Sequence, residues 1–195
     1  MSDTLIVVSD ATPLNILVRT DMVDLLPKLY ARVCIPPAVE SELSHARTPA
    51  PVREWLRSKP PWLEIRKPAA VDRSVARDPG EQEAISLAME LKADFILLDE
   101  KNARRSAQRL HLNVVGTVGI LELAAARQLL DLNGAFERLR KTDFYLSDAI
   151  MHAALERDTI RRKKQEKAPA PEATKETRRE VNSPHERQRD IDRER

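Results

Sequence analysis

A lone cysteine, Cys34, excludes an intramolecular disulfide and any zinc site built on Cys-x-x-Cys pairs. Only 4 glycines occur in 195 residues, and neither a P-loop nor a G-x-G-x-x-G pattern is present. No apolar run approaches the ~20 residues needed to span a bilayer. The opening Met1-Ser-Asp leads straight into a short apolar run, without a basic segment or a small-residue cleavage site. A cytoplasmic protein with no membrane partner is expected. Net charge is scarce too. The 33 Lys and Arg stand against 31 Asp and Glu, leaving +2, which excludes a protein that holds nucleic acid by bulk charge.

That balance is uneven. Residues 157–195 carry 13 basic and 9 acidic side chains, a surplus of 4, which leaves residues 1–156 at −2. The same stretch has no aromatic residue and almost no aliphatic one, with runs such as Arg161-Arg-Lys-Lys164. It cannot bury enough apolar surface to offset its ordering entropy. We read residues 1–157 as one domain and 158–195 as a charged tail, disordered or partly helical.

Within the domain, short β-type runs alternate with helical patterns. Leu5–Val8, Val33–Ile35, Phe95–Leu98 and Val114–Val115 read as strands, the first and third as runs buried on both faces. Trp62–Ile65 alternates like an edge strand. Helices are expected after the Thr12 cap, over about Met22–Leu29, from Pro37, over Pro51–Arg57, after Asp78-Pro-Gly80, over Ala103–Leu110 and Thr117–Arg127, and finally over Gly134–Arg140 and Ser147–Arg157. This order predicts an α/β/α sandwich around a mainly parallel sheet. In such sheets ligands bind beyond the carboxyl ends of the strands.

Acids stand there. Asp10 follows the first strand and Asp99 the Phe95–Leu98 strand, while Glu42 and Glu81 occupy helix positions near the same face. Each alone also reads as a helix cap or a solvated first-turn charge; their joint placement at one end of one sheet favours a site. Carboxylates converging from separate elements repel unless a cation neutralises them. Oxygen donors without cysteine or clustered histidine select Mg²⁺ or Mn²⁺ over Zn²⁺, and such ions can activate water against a phosphodiester. Spacing disfavours three other acid-rich sites. Thr12 replaces the second Asp of a haloacid-dehalogenase-type phosphatase, Ser9-Asp10 lacks the acid pair of a response-regulator receiver, and Asp99-Glu-Lys101 lacks the Asp-x-Asp of a toprim nuclease.

Five segments in order carry a resemblance: Val8-Ser-Asp-Ala-Thr-Pro-Leu14, Ile35-Pro-Pro-Ala-Val-Glu-Ser-Glu-Leu43, Gly80-Glu-Gln-Glu-Ala-Ile-Ser-Leu-Ala88, Leu97-Leu-Asp-Glu100 and Val115-Gly-Thr-Val-Gly-Ile-Leu121. Over about residues 4–155 the chain resembles PIN-domain proteins, in particular the VapC-like toxin ribonucleases of prokaryotic toxin–antitoxin modules. The resemblance implies a PIN-like fold and an Mg²⁺- or Mn²⁺-dependent endoribonuclease. It implies a catalytic, metal-holding quartet of Asp10, Glu42, Glu81 and Asp99, with Thr12 as the hydroxyl residue supporting Asp10 and Glu100 as an accessory acid. It further implies an RNA substrate, a cognate antitoxin and a homodimer, for which the apolar helices around Leu14–Leu29 offer an interface. At position 81 the family usually has Asp, and Glu83 competes with Glu81 for the role. That departure keeps open a second reading, a catalytically weak or inactive PIN domain that binds RNA or protein.

The remaining candidates take plainer readings. Arg104 and Arg105 follow Asp99 by about one helical turn and read first as a solvated helix face, second as a phosphate contact. Cys34 reads as core, and the tryptophans Trp55 and Trp62 as anchors of a proline-rich excursion. The 4 histidines are scattered without ligand spacing and are assigned no role.

Overall fold

The computed structural model describes residues 5–167 apart from residue 59. The strands β1 (Val7–Ser9), β2 (Val33–Ile35), β3 (Leu63–Ile65), β4 (Phe95–Leu97) and β5 (Val114–Val115) form one sheet in the order β3-β2-β1-β4-β5. Every pairing is parallel, with Val8 opposite both Cys34 and Ile96. The sheet is therefore wholly parallel, and the Trp62–Ile65 run is its edge strand, as its alternation predicts. Parallel neighbours need crossovers, which the helices supply. They are α1 (Ala11–Arg19), α2 (Leu25–Tyr30), α3 (Pro37–Ser44), α4 (Ala50–Arg57), α5 (Pro79–Glu90), α6 (Lys101–Arg109) and α7 (Thr117–Ala126), with α8 (Leu132–Leu139) and α9 (Asp148–Lys167) closing the chain.

Successive strand side chains point to opposite faces, so the sheet divides two cores. Val7, Ile35 and Leu97 face one core with Leu14 and Leu17 of α1, Ile120 of α7 and Phe136 of α8. Val8, Cys34 and Ile96 face the other, with Ile85 and Leu87 of α5 and Ala103 and Ala107 of α6. Cys34 is a free, buried core residue. Trp55 and Trp62 pack on each other at 5.9 Å between ring centroids and against the first core, anchoring the proline-rich excursion.

Some expectations change. The cap of α1 is Asp10 rather than Thr12, because an Asp10 carboxylate oxygen accepts the Thr12 N–H. Leu14, Leu17, Leu26 and Leu29, offered above as a dimer interface, are buried inside the single chain. They leave no apolar face there for a second copy. The last helix runs to Lys167 rather than ending at Arg157, so the first part of the expected tail is helical, and Asp158 within it is buried and pairs with Arg161 and Arg162. The remainder of the expected tail, 168–195, lies outside the described residues. Among the described residues no helix is long and apolar enough to cross a membrane.

The order β3-β2-β1-β4-β5 places the topological switch between β1 and β4. From β1 the chain winds outward through β2 and β3, then returns to pair β4 on the other side of β1. In open α/β sheets the carboxyl ends of the two strands at such a switch border the ligand-binding crevice.

Candidate active site

Asp10 and Asp99 sit at that crevice. The Asp10 N–H donates to the Leu97 carbonyl at 3.0 Å, so the residue after β1 is fastened to the end of β4. Asp99 lies two residues beyond Leu97 and is held from the other side. The Thr117 N–H donates to Asp99 Oδ1 at 2.8 Å and the Thr117 hydroxyl to Oδ2 at 2.6 Å. Thr117 is wholly buried at the first position of α7. Sequence reasoning missed it, although its segment Val115-Gly-Thr carried part of the resemblance.

Glu42 and Glu81 arrive on α3 and α5, and Gly80 shows how closely Glu42 approaches Asp10. A Cβ placed on Gly80 would lie 3.3 Å from Glu42 Oε2, 3.5 Å from Asp10 Oδ1 and 3.0 Å from Asp78 Oδ1. Three carboxylates from three separate segments thus face one small space that a side chain at position 80 would crowd. Asp78 caps α5, accepting from the Gly80 N–H at 2.8 Å and the Glu81 N–H at 3.3 Å. It adds a negative charge that the sequence reading took only as part of a turn.

Glu81 and Glu83 separate cleanly. Glu83 Oε2 accepts the Ala38 N–H at 2.9 Å and so serves the N-terminus of α3. Glu81, half-buried, is the one that feels the charges of Asp10, Glu100, Asp78 and Glu42. Glu100 caps α6 through the Ala103 N–H at 2.7 Å. Thr12 supports Asp10 through its backbone N–H, at 3.4 Å, with its side chain exposed.

Electrostatics mark the same group. Burial, then the charges of Asp78 and Asp99, push the Asp10 carboxyl up to about 6 against two opposing backbone N–H bonds. Partial desolvation, then Asp10 and Asp78, push Glu42 up to about 7, although much of its side chain faces solvent. Glu81 also rises to about 7 through desolvation first and then Asp10, Glu100, Asp78 and Glu42. Asp99 is raised by burial, while the Thr117 hydrogen bonds and the nearby Arg104 charge oppose the rise. These are acids crowded against one another with little positive charge between them.

Arg104 is not on a solvated face. Its Nη1 donates to the Leu98 carbonyl at 2.9 Å, and its guanidinium occupies the space that a side chain on Gly116 would need. Arg105, the next residue on α6, is exposed.

The donor set suits a hard divalent cation. It is all oxygen, and Asp10 Oδ1 is buried without a hydrogen-bond partner, as an atom reserved for a cation would be. Among the described residues, no group of three acid, histidine or cysteine side chains is already gathered tightly enough to grip an ion. The acids converge on the crevice without closing into a coordination shell. The N-termini of α1, α5, α6 and α7 also meet here, through Asp10, Asp78, Glu100 and Thr117. A carboxylate already accepts from an N–H at each of these ends, so it is the helix dipoles that favour an anion such as phosphate there.

Comparison with known proteins adds three findings. Residues 6–159 match a family model described as "DUF3368: PIN domain". Among solved structures the chain is similar to one titled "Structure of the PIN domain endonuclease Utp24", at 15% identity. That match covers 58% of this chain and 85% of the other with a TM-score of 0.45, a likeness too loose to carry an argument. No curated protein matches the chain.

Proposed function

Since the chain belongs to the PIN-domain family, whose members are typically nucleases, we propose that it is an Mg²⁺- or Mn²⁺-dependent endoribonuclease that hydrolyses RNA phosphodiester bonds. The observation that supports this most is the meeting of Glu42 Oε2 and the unpartnered, buried Asp10 Oδ1 at the open space of Gly80. In this reading Asp10, Glu42, Glu81 and Asp99 hold the cation.

A bound cation supplies a Lewis acid that activates water and offsets charge on the phosphate. The protein's part is placement. Asp10 is fixed by the Leu97 carbonyl and Asp99 by both groups of Thr117, so their carboxylates need little reorganisation when RNA arrives. Glu42 and Glu81, raised to about 7 without a cation, must give up their protons to hold one, so metal binding should strengthen as pH rises through that range. The converging helix N-termini draw a phosphate towards the same crevice.

We assign the protein, further, to the toxin side of a type II toxin–antitoxin module, with a cognate antitoxin covering the acidic crevice. The five ordered segments support that assignment. Growth arrest on induced expression, abolished by Asp10→Asn, is the expected sign, and growth unaffected by the active enzyme contradicts it.

Incubation of end-labelled RNA with the protein in Mg²⁺, Mn²⁺ or EDTA tests the enzymatic reading. Cleavage that persists in EDTA or in Asp10→Asn overturns it. RNA bound but uncut in either metal instead makes the protein a binding module.

A further inference from the structure

Gly116 lies at φ −96° and ψ 172°, extended backbone open to any residue, so conformation gives no reason for a glycine there. Space does. A Cβ would collide with Arg104 Nη1 and come within 3.0 Å of Asp99 Oδ1. The guanidinium is thus seated between the end of β4 and the start of α7, anchored by a single hydrogen bond to the Leu98 carbonyl. Asp99 is satisfied by Thr117 through both oxygens, and Arg104 acts on it by charge rather than by a hydrogen bond among the described residues. A guanidinium has five N–H donors in a planar fork suited to phosphate oxygens. Here it stands beside an otherwise acidic crevice, at the end where Thr117 starts a helix.

We propose that Arg104 is the phosphate-binding residue of this site, gripping a non-bridging oxygen of the RNA backbone next to Asp99, with Gly116 as the gap that admits its guanidinium. This rests on the nuclease reading for the identity of the ligand. Its test, however, reads binding and not cleavage, so the two fail separately.

The experiment is fluorescence anisotropy of a labelled single-stranded RNA oligonucleotide with the full chain carrying Asp10→Asn, across a KCl series. Adding Arg104→Ala weakens binding by about ten- to a hundredfold, the range for a lost charge-assisted hydrogen bond. It also lowers the slope of log affinity against log salt by about 0.7, the value for one lost phosphate contact on a single strand. Arg104→Lys restores the slope but only part of the affinity. Gly116→Ala weakens binding with the arginine still present, because the added methyl group displaces it. Arg105→Ala on the same background changes neither quantity. An unchanged salt slope in a folded Arg104→Ala protein overturns the proposal, as does an equal loss from Arg105→Ala. If the active enzyme leaves RNA uncut while these binding results hold, the nuclease reading fails and the phosphate site stands.

Discussion

Replacing Asp10 by asparagine should stabilise the metal-free protein. Asp10 is 5% exposed, and its Oδ1 has no hydrogen-bond partner. Asparagine keeps an oxygen for the Thr12 N–H and caps a helix as well as aspartate does, so α1 is preserved. The rise from 3.8 to about 6 corresponds to about 3 kcal/mol of preference for the protonated form. Below pH 3.8 the folded and unfolded chains both hold this proton. Between 3.8 and about 6 the unfolded chain has lost it while the folded chain keeps it, so stability falls with rising pH and levels off above that window. Asparagine never ionises. In EDTA at pH 8, Asp10→Asn should therefore gain up to about 3 kcal/mol, roughly 6–12 °C in Tm for a domain of this size. At pH 3.5 the gain should vanish. Thermal and urea unfolding followed by circular dichroism across that pH range measures it. A variant no more stable than wild type at pH 8, or a gain independent of pH, refutes the reasoning.

Five further outcomes follow from the same geometry. Mn²⁺ or Mg²⁺ at a hundred times its dissociation constant should stabilise the wild type by about 2.7 kcal/mol and Asp10→Asn far less, as read by melting with and without metal. Thr117→Val should cost about 1.5–3 kcal/mol by removing a hydroxyl donor from a buried carboxylate, and should slow RNA cleavage, as unfolding and rate measurements on one preparation would show. Glu81→Gln should lower the cleavage rate by about 10²–10⁴. Glu83→Gln should leave the rate near wild type, because its partner is the α3 N-terminus; equal losses would reverse that assignment. Phe136→Ala, which empties a fully buried site on α8 in the first core, should cost about 3–5 kcal/mol in urea unfolding without changing metal affinity.

The fold was legible where one local signal decided it. Buried β-branched runs and proline-started helices mark β1, β2, α3 and α5, and strand-end acids mark Asp10 and Asp99. What escaped depends on partners distant in sequence. Thr117 holds Asp99 across 18 positions, and Glu83 reaches Ala38 across 45. No periodicity reports such contacts. Arg104 resembled any solvated arginine on a polar helix until Gly116 was seen to make room for it. Thr12 had the expected residue type but supports Asp10 through its backbone, as any residue other than proline there would. The end of the last helix was placed at Arg157 from composition, whereas α9 continues ten residues further, with Asp158 buried against its two arginines.

The account stands on the acids of the crevice holding a divalent cation. Titration of Mn²⁺ into the metal-free full chain at pH 8, with free Mn²⁺ read by its electron paramagnetic resonance signal, tests this most directly. The wild type should withdraw Mn²⁺ saturably, and Asp10→Asn should leave the free signal almost intact. A wild type that binds no Mn²⁺, or an Asp10→Asn variant that binds as much, would contradict the account.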